Sequence, residues 1–413
     1  MRLFFHNITT PQFAYHIDAY DFDQQALFLA ERNDVVVLRR QPQPEWMNYM
    51  VSIGTVPSSI TTLHPGTNTD SPTEIFYDKF LRKSVRRVVE GSRTATSLHT
   101  YQISEHEVAW AKAVGVRFET RYPYEEDFSS KLVFKKIVQE LGLLTPKYIA
   151  LNSHHYFSRL MALGWVKYTK PDSLIIKLNK AARGFGSRHW HVGQGYNALF
   201  TLHQASPEAT LLEHWIDSGG YSPSVQLWVH VNGVIELQSL HEQLLGPDKI
   251  TYIGCRPLCI ETSLLNKLTS EAYLIGQNFA KRGYVGPLGL DAIVAKDRIW
   301  WLEANPRFTL AMYTHSLYQK IHRQLSRPAY YQSICFCSSR LKKMTVQQFL
   351  HRCRNLLYQP GKTEGIIPYE LSLLSLRGQV TVLCIAEEVH GANKLLRSLE
   401  ELIGVSTDSA TTT

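Results

Sequence analysis

The chain is poor in cysteine, with six in 413 residues, at positions 255, 259, 335, 337, 353 and 384. So few cannot build a disulfide framework, and a reducing, cytoplasmic setting is expected. Cys255/Cys259 and Cys335/Cys337 stand close together, but neither pair is followed by a second pair at zinc spacing, so both read as ordinary thiols. No uninterrupted apolar run is long enough to span a bilayer, and residues 1–7 turn polar too soon for a signal peptide. Glycine (24) and proline (18) occur in ordinary shares, which excludes collagen-like and low-complexity chains apart from a polar tail at 406–413. There is little excess charge: 44 basic against 36 acidic residues, a net +8 without a long run of one sign. The short clusters Arg82-Lys83, Arg86-Arg87, Lys135-Lys136 and Lys342-Lys343 read as solvated helix faces rather than a nucleic-acid stripe. A Gly-x-Ser-x-Gly nucleophile signature is missing. Gly361-Lys362-Thr363 has the tail of a phosphate-binding P-loop, but Leu356 stands where its first glycine belongs.

The length exceeds what one small core needs and implies two or three domains. The first quarter alternates short buried strands, such as 35–38, with a helical rhythm over 75–89. A helix capped by Ser129 or Ser130 carries Leu132, Val133, Phe134, Ile137, Val138 and Leu141 on its inner side and stops at Gly142. A strand over 174–178 runs into a turn holding Gly184 and Gly186. An amphipathic helix covers 264–281, and near the C-terminus come a strand at 380–385 and a helix at 391–403.

Two acids stand out in the hairpin formed by residues 288–303. With its turn centred on Asp297, Asp291 falls opposite Glu303, and Asn305 follows on the same face. Paired carboxylates repel unless a cation lies between them, and magnesium takes oxygen ligands of this kind together with substrate phosphates. Arg307 would add a planar fork of donors for an anion. The plainer alternative is a solvated hairpin, which the flanking Leu, Ile, Val and Trp residues make less natural. Lys177 lies inside an apolar strand, six residues before Arg183-Gly184-Phe185-Gly186-Ser187, a loop whose amides suit phosphate oxygens. On its own this reads more simply as an ordinary strand-end lysine and turn.

Taken in order, these pieces resemble the ATP-grasp superfamily of carboxylate ligases over residues 126–312, with Glu303-Ala304-Asn305-Pro306-Arg307 the most specific segment. His241-Glu242-Gln243 followed by Tyr252-Ile253-Gly254 is similar to the branch with a pre-ATP-grasp N-terminal domain, which includes peptide ligases. The resemblance implies that Lys131 and Lys177 reach the nucleotide phosphates and that Arg183, Gly184, Phe185, Gly186 and Ser187 form the loop over them. It implies that Glu213, His214, Trp215 and Ile216 form the adenine hinge, with Glu213 near the adenine amino group. Asp291, Glu303 and Asn305 become magnesium ligands, with manganese as an alternative, and Arg307 steadies the transferring phosphate. Three departures stand out: a bulky Phe185 between the two loop glycines, Ser224-Val225-Gln226 where many members carry an acid, and Gly289 where some carry an arginine. Arg256 is a candidate replacement for that arginine, although a surface role suits it as well. Histidines 154, 155, 189, 191 and 241 are candidates for the substrate cleft.

The expected fold class is thus α/β and α+β multidomain: an α/β domain over 1–125, an ATP-grasp domain of two lobes over 126–320, and a helix-rich extension with at least one strand over 321–413. The implied activity is an ATP-dependent carboxylate–amine ligase working through an acyl phosphate, on an amino acid or peptide. A small-molecule kinase of the same fold and a non-catalytic nucleotide-binding regulator are the alternatives. Biotin-dependent carboxylation ranks lower, because the chain lacks an Ala-Met-Lys-Met carrier motif. The implied partners are small-molecule carboxylate and amine substrates, with neither nucleic acid nor membrane, and a homodimer is compatible with this reading.

Overall fold

The computed structural model describes residues 1–7, 17–66, 73–122, 127–151, 156–180, 187–191, 210–217, 219, 221–325, 327 and 329–405. Arg183, Gly184, Phe185 and Gly186 of the expected phosphate loop, His154, His155 and the tail at 406–413 lie outside the described residues.

The N-terminal region is a five-stranded parallel sheet. Its strands are β1 (Arg2–Phe5), β2 (Val35–Val37), β3 (Thr61–Leu63), β4 (Ser97–Thr100) and β5 (Arg117–Phe118), in the order β3-β2-β1-β4-β5. Both faces are covered, which is why β2 is wholly apolar and β1 is apolar after Arg2. Leu3, Phe5, Val35 and Val37 pack with Leu81 and Val85 of α2 (Lys79–Gly91) and Trp110 of α3 (Glu105–Val114). Phe4 and Val36, on the opposite face, join a core that includes Trp46 and Met50 of α1 (Pro44–Ser52) and residues from 308 to 405. The first and last thirds of the chain therefore share one apolar core. Trp46 Nε1 donates to the Pro368 carbonyl at 2.9 Å across that junction.

The second sheet is small and antiparallel: β6 (Tyr148–Leu151), β7 (Ser173–Leu178), β8 (Arg188–His191) and β9 (Thr210–His214), ordered β6-β9-β7-β8. Helix α5 (Tyr156–Thr169) packs on it, while α4 (Lys131–Glu140) packs mainly on the third sheet.

The third sheet is antiparallel and eight-stranded, in the order β14-β13-β10-β11-β12-β15-β17-β16. The strands are β10 (Pro223–Val229), β11 (Ile235–Leu245), β12 (Tyr252–Pro257), β13 (Gly286–Ala295), β14 (Arg298–Asn305), β15 (Tyr330–Cys337), β16 (Gly365–Glu370) and β17 (Gln379–Ala386). Phe134, Ile137 and Val138 of α4 and Leu268, Ile275 and Phe279 of α6 (Thr262–Lys281) bury this sheet's apolar face. Past α7 (Leu310–His322), the last third supplies α8 (Val346–Arg352), α9 (Leu374–Arg377) and α10 (Val389–Ile403). The expected strand at 380–385 is the heart of β17. Two further strands, β15 and β16, went unmarked in the sequence. Pro368 disguises β16, which tolerates it because it is the edge strand and is bulged there.

Candidate active site

The β13–β14 hairpin brings Asp291 and Glu303 together, by a route the sequence did not reveal. Its turn is the two-residue Lys296-Asp297, both with positive φ (51° and 58°), not a turn centred on Asp297. Near the turn Ala295 pairs with Arg298 and Ala292 with Trp301. One extra residue on β14, Leu302, then forms a bulge and restores the pairs Asp291–Glu303 and Gly289–Asn305. Without that bulge Glu303 would point to the other face.

A line of hydrogen bonds holds the acids. Ser224 Oγ donates to Asp291 Oδ1 at 2.6 Å, Gln226 Nε2 to Ser224 Oγ at 2.8 Å, and Thr309 Oγ1 to Gln226 Oε1 at 2.6 Å. On the other side Asn305 Nδ2 donates to Asp291 Oδ2 at 2.9 Å. Arg307 Nη1 donates to Asn305 Oδ1 at 2.5 Å, and its Nε donates to the Tyr101 hydroxyl at 3.0 Å. Lys131 Nζ lies 3.0 Å from Glu303 Oε2. Burial, and then the neighbouring Glu303, push the Asp291 carboxyl up to about 7. Burial also pushes on Glu303, but Lys131 and Lys177 outweigh it and hold that carboxyl below its usual range. Gly289 has a steric reason: a Cβ there would sit 2.6 Å from Thr309 Cγ2.

Helix α4 and strand β7 supply the opposing cations. Ser130, not Ser129, caps α4, accepting from the Val133 amide at 3.4 Å. Its Oγ donates to Asn179 Oδ1 at 3.1 Å, and the same oxygen accepts from the Leu132 amide at 3.1 Å. The start of α4 is thereby tied to the end of β7, and Lys131 and Lys177 reach one cleft. Lys135 is not on a solvated face as its cluster with Lys136 implied. Its side chain is wholly buried, 3.2 Å from Glu213 Oε1, while Lys177 Nζ lies 3.2 Å from Glu213 Oε2. Burial lowers Lys135 to about 8, opposed by Glu213. Burial likewise opposes the charge on Glu213, but the two lysines prevail and hold it below its usual range.

These groups line a cavity of about 400 Å³ between the two lobes. Its walls include Lys131, Lys177, Ser187, residues 213–216, Asp291, Glu303, Asn305 and Arg307. A wider mouth of about 1000 Å³ adjoins it at Ser187, His214 and Trp215 and also meets His189, His191 and Asp217. Other candidates fall elsewhere. Arg256 pairs with Glu242 across β11–β12 at 2.8 Å and does not line the cavity. His241 is fully buried, with Nε2 2.8 Å from Ser239 Oγ, and serves the core. Among the described residues no group of three or more His, Cys, Asp or Glu side chains is placed to hold a metal. A magnesium site here would rest on two carboxylates, one amide and substrate phosphates. This all-oxygen set suits that ion, and the facing acids of the hairpin call for a cation.

Sequence reasoning missed Lys135, Asn179, Tyr101 and Thr309 as parts of the site. Only Lys135 carried a signal. It lies four residues after Lys131 and three before Val138, on the buried stripe of α4.

The Pre ATP-grasp domain family matches residues 23–116. No curated protein matches the chain in sequence. Among solved structures, the chain is similar to the ADP complex of purK, an N5-carboxyaminoimidazole ribonucleotide synthetase, at 14% identity and TM-score 0.60, covering 97% of this chain and 95% of that one. It is also similar to N5-carboxyaminoimidazole synthase from Aspergillus clavatus, in complex with ADP and 5-aminoimidazole ribonucleotide, at 12% identity and TM-score 0.58, covering 90% and 98%. A third is a biotin carboxylase–ATP analogue complex from Campylobacter jejuni, at 11% identity and TM-score 0.59, covering 97% and 90%. The chain has the ATP-grasp fold, mixed α/β and multidomain, with a Pre ATP-grasp domain in its N-terminal region.

Proposed function

We propose that this chain is an ATP-dependent ligase that activates a carboxylate as an acyl phosphate and joins it to an amine, with an amino acid or peptide as substrate. The observation that carries the reading is the convergence of Lys131, Lys177, Asp291, Glu303, Asn305 and Arg307 on one cavity between two lobes. In this reading residues 1–125, 126–320 and 321–413 act as N-terminal domain, ATP-grasp domain and extension.

A carboxylate oxygen attacks the γ-phosphorus of ATP, the bond to the β-phosphate oxygen breaks, and ADP leaves. The amine then attacks the acyl carbon, phosphate leaves, and the amine nitrogen gives up a proton. The first step asks for positioning and charge neutralisation more than covalent help. Lys131 and Lys177 face the cleft where phosphates would lie, and Arg307 offers a rigid fork to the group in transfer. Asp291, Glu303 and Asn305 would hold magnesium, which when bound neutralises phosphate charge. Ser224 orients Asp291 from behind. The carboxylate of Glu213 is engaged by two lysines, so adenine recognition falls to the backbone of residues 214–216.

The test is ADP release from magnesium-ATP with a mixed pool of amino acids and peptides and hydroxylamine as trap. Hydroxamate formation that is lost in Glu303→Gln is the expected result. ADP release with a stable phosphorylated product and no hydroxamate would instead make the protein a kinase. Nucleotide binding without turnover would leave two readings, a specific substrate missing from the pool or a nucleotide-binding regulator.

A further inference from the structure

Helix α2 packs Leu81 and Val85 on the face of the N-terminal sheet that looks away from the core shared with the last third of the chain. None of its residues lines the cavity between the lobes. Its outer side carries Lys79, Arg82, Lys83, Arg86 and Arg87 against a single acid, Glu90, a net +4 on 13 residues and half of the chain's +8. Elsewhere such cations meet acids, as Arg2 meets Asp34 and Arg256 meets Glu242. Among the described residues none of these five lies within ion-pair distance of a carboxylate. Two are held by neutral groups instead. Arg82 Nε donates to the Phe76 carbonyl at 2.7 Å, and Arg86 Nε and Nη2 donate to the Ala113 carbonyl at 2.8 and 2.5 Å. The five side chains and Glu90 line an open groove of about 510 Å³. Aromatic rings accompany the charge. Tyr77 and Phe80 are each 62% exposed, and Phe80, Lys83 and Arg87 share one outward row of the helix at three- and four-residue spacing.

We propose that this side of α2 is a docking surface for an anionic lipid bilayer. Five cations without counter-charges on one amphipathic helix call for a polyanion. A bilayer of acidic lipids is the polyanion that also hosts the rings. Its phosphates meet lysine and arginine, and its interfacial zone takes Phe and Tyr out of water. A nucleic-acid duplex offers phosphates to the cations but keeps its apolar surface stacked inside, away from the rings. Sequence alone suggests no membrane partner, because it holds no spanning run, but a surface patch needs none. The assignment is independent of the ligase reading.

The experiment is flotation of the full chain with two kinds of vesicle, phosphatidylcholine alone and phosphatidylcholine mixed with phosphatidylserine, at low and at high salt. Binding to the mixed vesicles only is expected, weakening at least about tenfold from low to high salt. Lys83→Glu with Arg87→Glu is expected to weaken that binding at least about tenfold at low salt. Phe80→Ser is expected to weaken it about fivefold and to leave the salt dependence unchanged. All three side chains are exposed, so the variants should keep the parent's urea midpoint. Lys342→Glu with Lys343→Glu makes the same change in net charge at another exposed pair and is expected to leave binding unchanged. Equal binding to both kinds of vesicle, no binding to the mixed ones, or equal losses from the two double reversals overturns the proposal. Capture by poly-glutamate that the α2 reversal abolishes, with no vesicle binding, would assign the surface to an acidic protein and overturn the bilayer assignment.

Discussion

Two neighbouring ion clusters, each pairing lysine with glutamate, differ in exposure. In the small lobe, Lys135, Glu213 and Lys177 form a triad whose Lys135 and Glu213 side chains are 0% and 1% exposed. At the β13–β14 hairpin, Lys131 of α4 meets Glu303 with the two side chains 8% and 25% exposed, and Asp291, Asn305 and Arg307 continue the line along the cavity. The triad is closed and carries one surplus positive charge, and it fixes Lys177 at the cavity wall. The open cluster balances two cations with two acids, but the acids face each other. If Lys131 leaves Glu303 for a phosphate, that pair needs a new cation. The difference separates a scaffold, complete in itself, from a site that is complete only with its ligands.

The largest expected effects test that separation directly. Glu303→Gln and Asp291→Asn are expected to lower the rate of ADP release by about a hundredfold or more. In urea unfolding Glu303→Gln should cost less than about 1 kcal/mol, because that side chain is 25% exposed, and Asp291→Asn should cost nothing or stabilise, because burial already opposes the Asp291 charge. Glu213→Gln is expected to do the reverse in kind. It leaves Lys135 and Lys177 buried without their shared counter-charge and should cost about 3 kcal/mol of stability. Equal stability losses in the two clusters would erase the distinction between scaffold and site.

A smaller effect sharpens the same contrast through pH. Burial lowers Lys135 to about 8 in the folded chain, against 10.5 for an ordinary lysine. Between those two values the unfolded chain binds the extra proton, so this residue's contribution to stability rises with pH across the window. The slope is at most about 1.4 kcal/mol per pH unit for a single proton. Burial raises the thiols of Cys255, Cys353 and Cys384, to about 11 for the first and about 12 for the other two, which pulls stability the opposite way. The informative quantity is therefore the difference between the parent and Lys135→Met, in which those terms cancel. That difference should climb from about pH 8 to 10.5 in urea midpoints, and a flat difference would mean that Lys135 is not held in the closed cluster.

What the sequence made legible follows from period and spacing. The hairpin acids, Lys177 in its apolar strand and the capped start of α4 are local patterns, and each stands where its own few residues dictate. The illegible parts depend on chain brought from far away. Tyr101 reaches Arg307 from the N-terminal domain, and Gln25 reaches Glu370 across nearly the whole length. Even the pairing of Asp291 with Glu303 was reached through two compensating features, a tighter turn and a bulge at Leu302, which periodicity alone cannot separate. Lys135 was misread because a lysine next to a lysine suggests solvent, and Glu213, on a strand beginning 75 residues further on, makes its burial tolerable together with the Thr145 hydroxyl.

The smallest expected effect concerns a contact that joins the N-terminal region to the open cluster. The Tyr101 hydroxyl accepts from Arg307 Nε at 3.0 Å, and the guanidinium lies 5.9 Å from the centre of the same ring. Tyr101→Phe keeps the ring and removes only the hydrogen bond, a loss of about 1 kcal/mol. If Arg307 works on the group in transfer, that loss should appear in the turnover rate, at about fivefold, with nucleotide affinity unchanged, since an interaction made only in the transition state moves kcat rather than ground-state binding. A loss of nucleotide affinity with turnover intact would assign Arg307 to holding bound ATP, and the N-terminal domain would then support binding rather than chemistry.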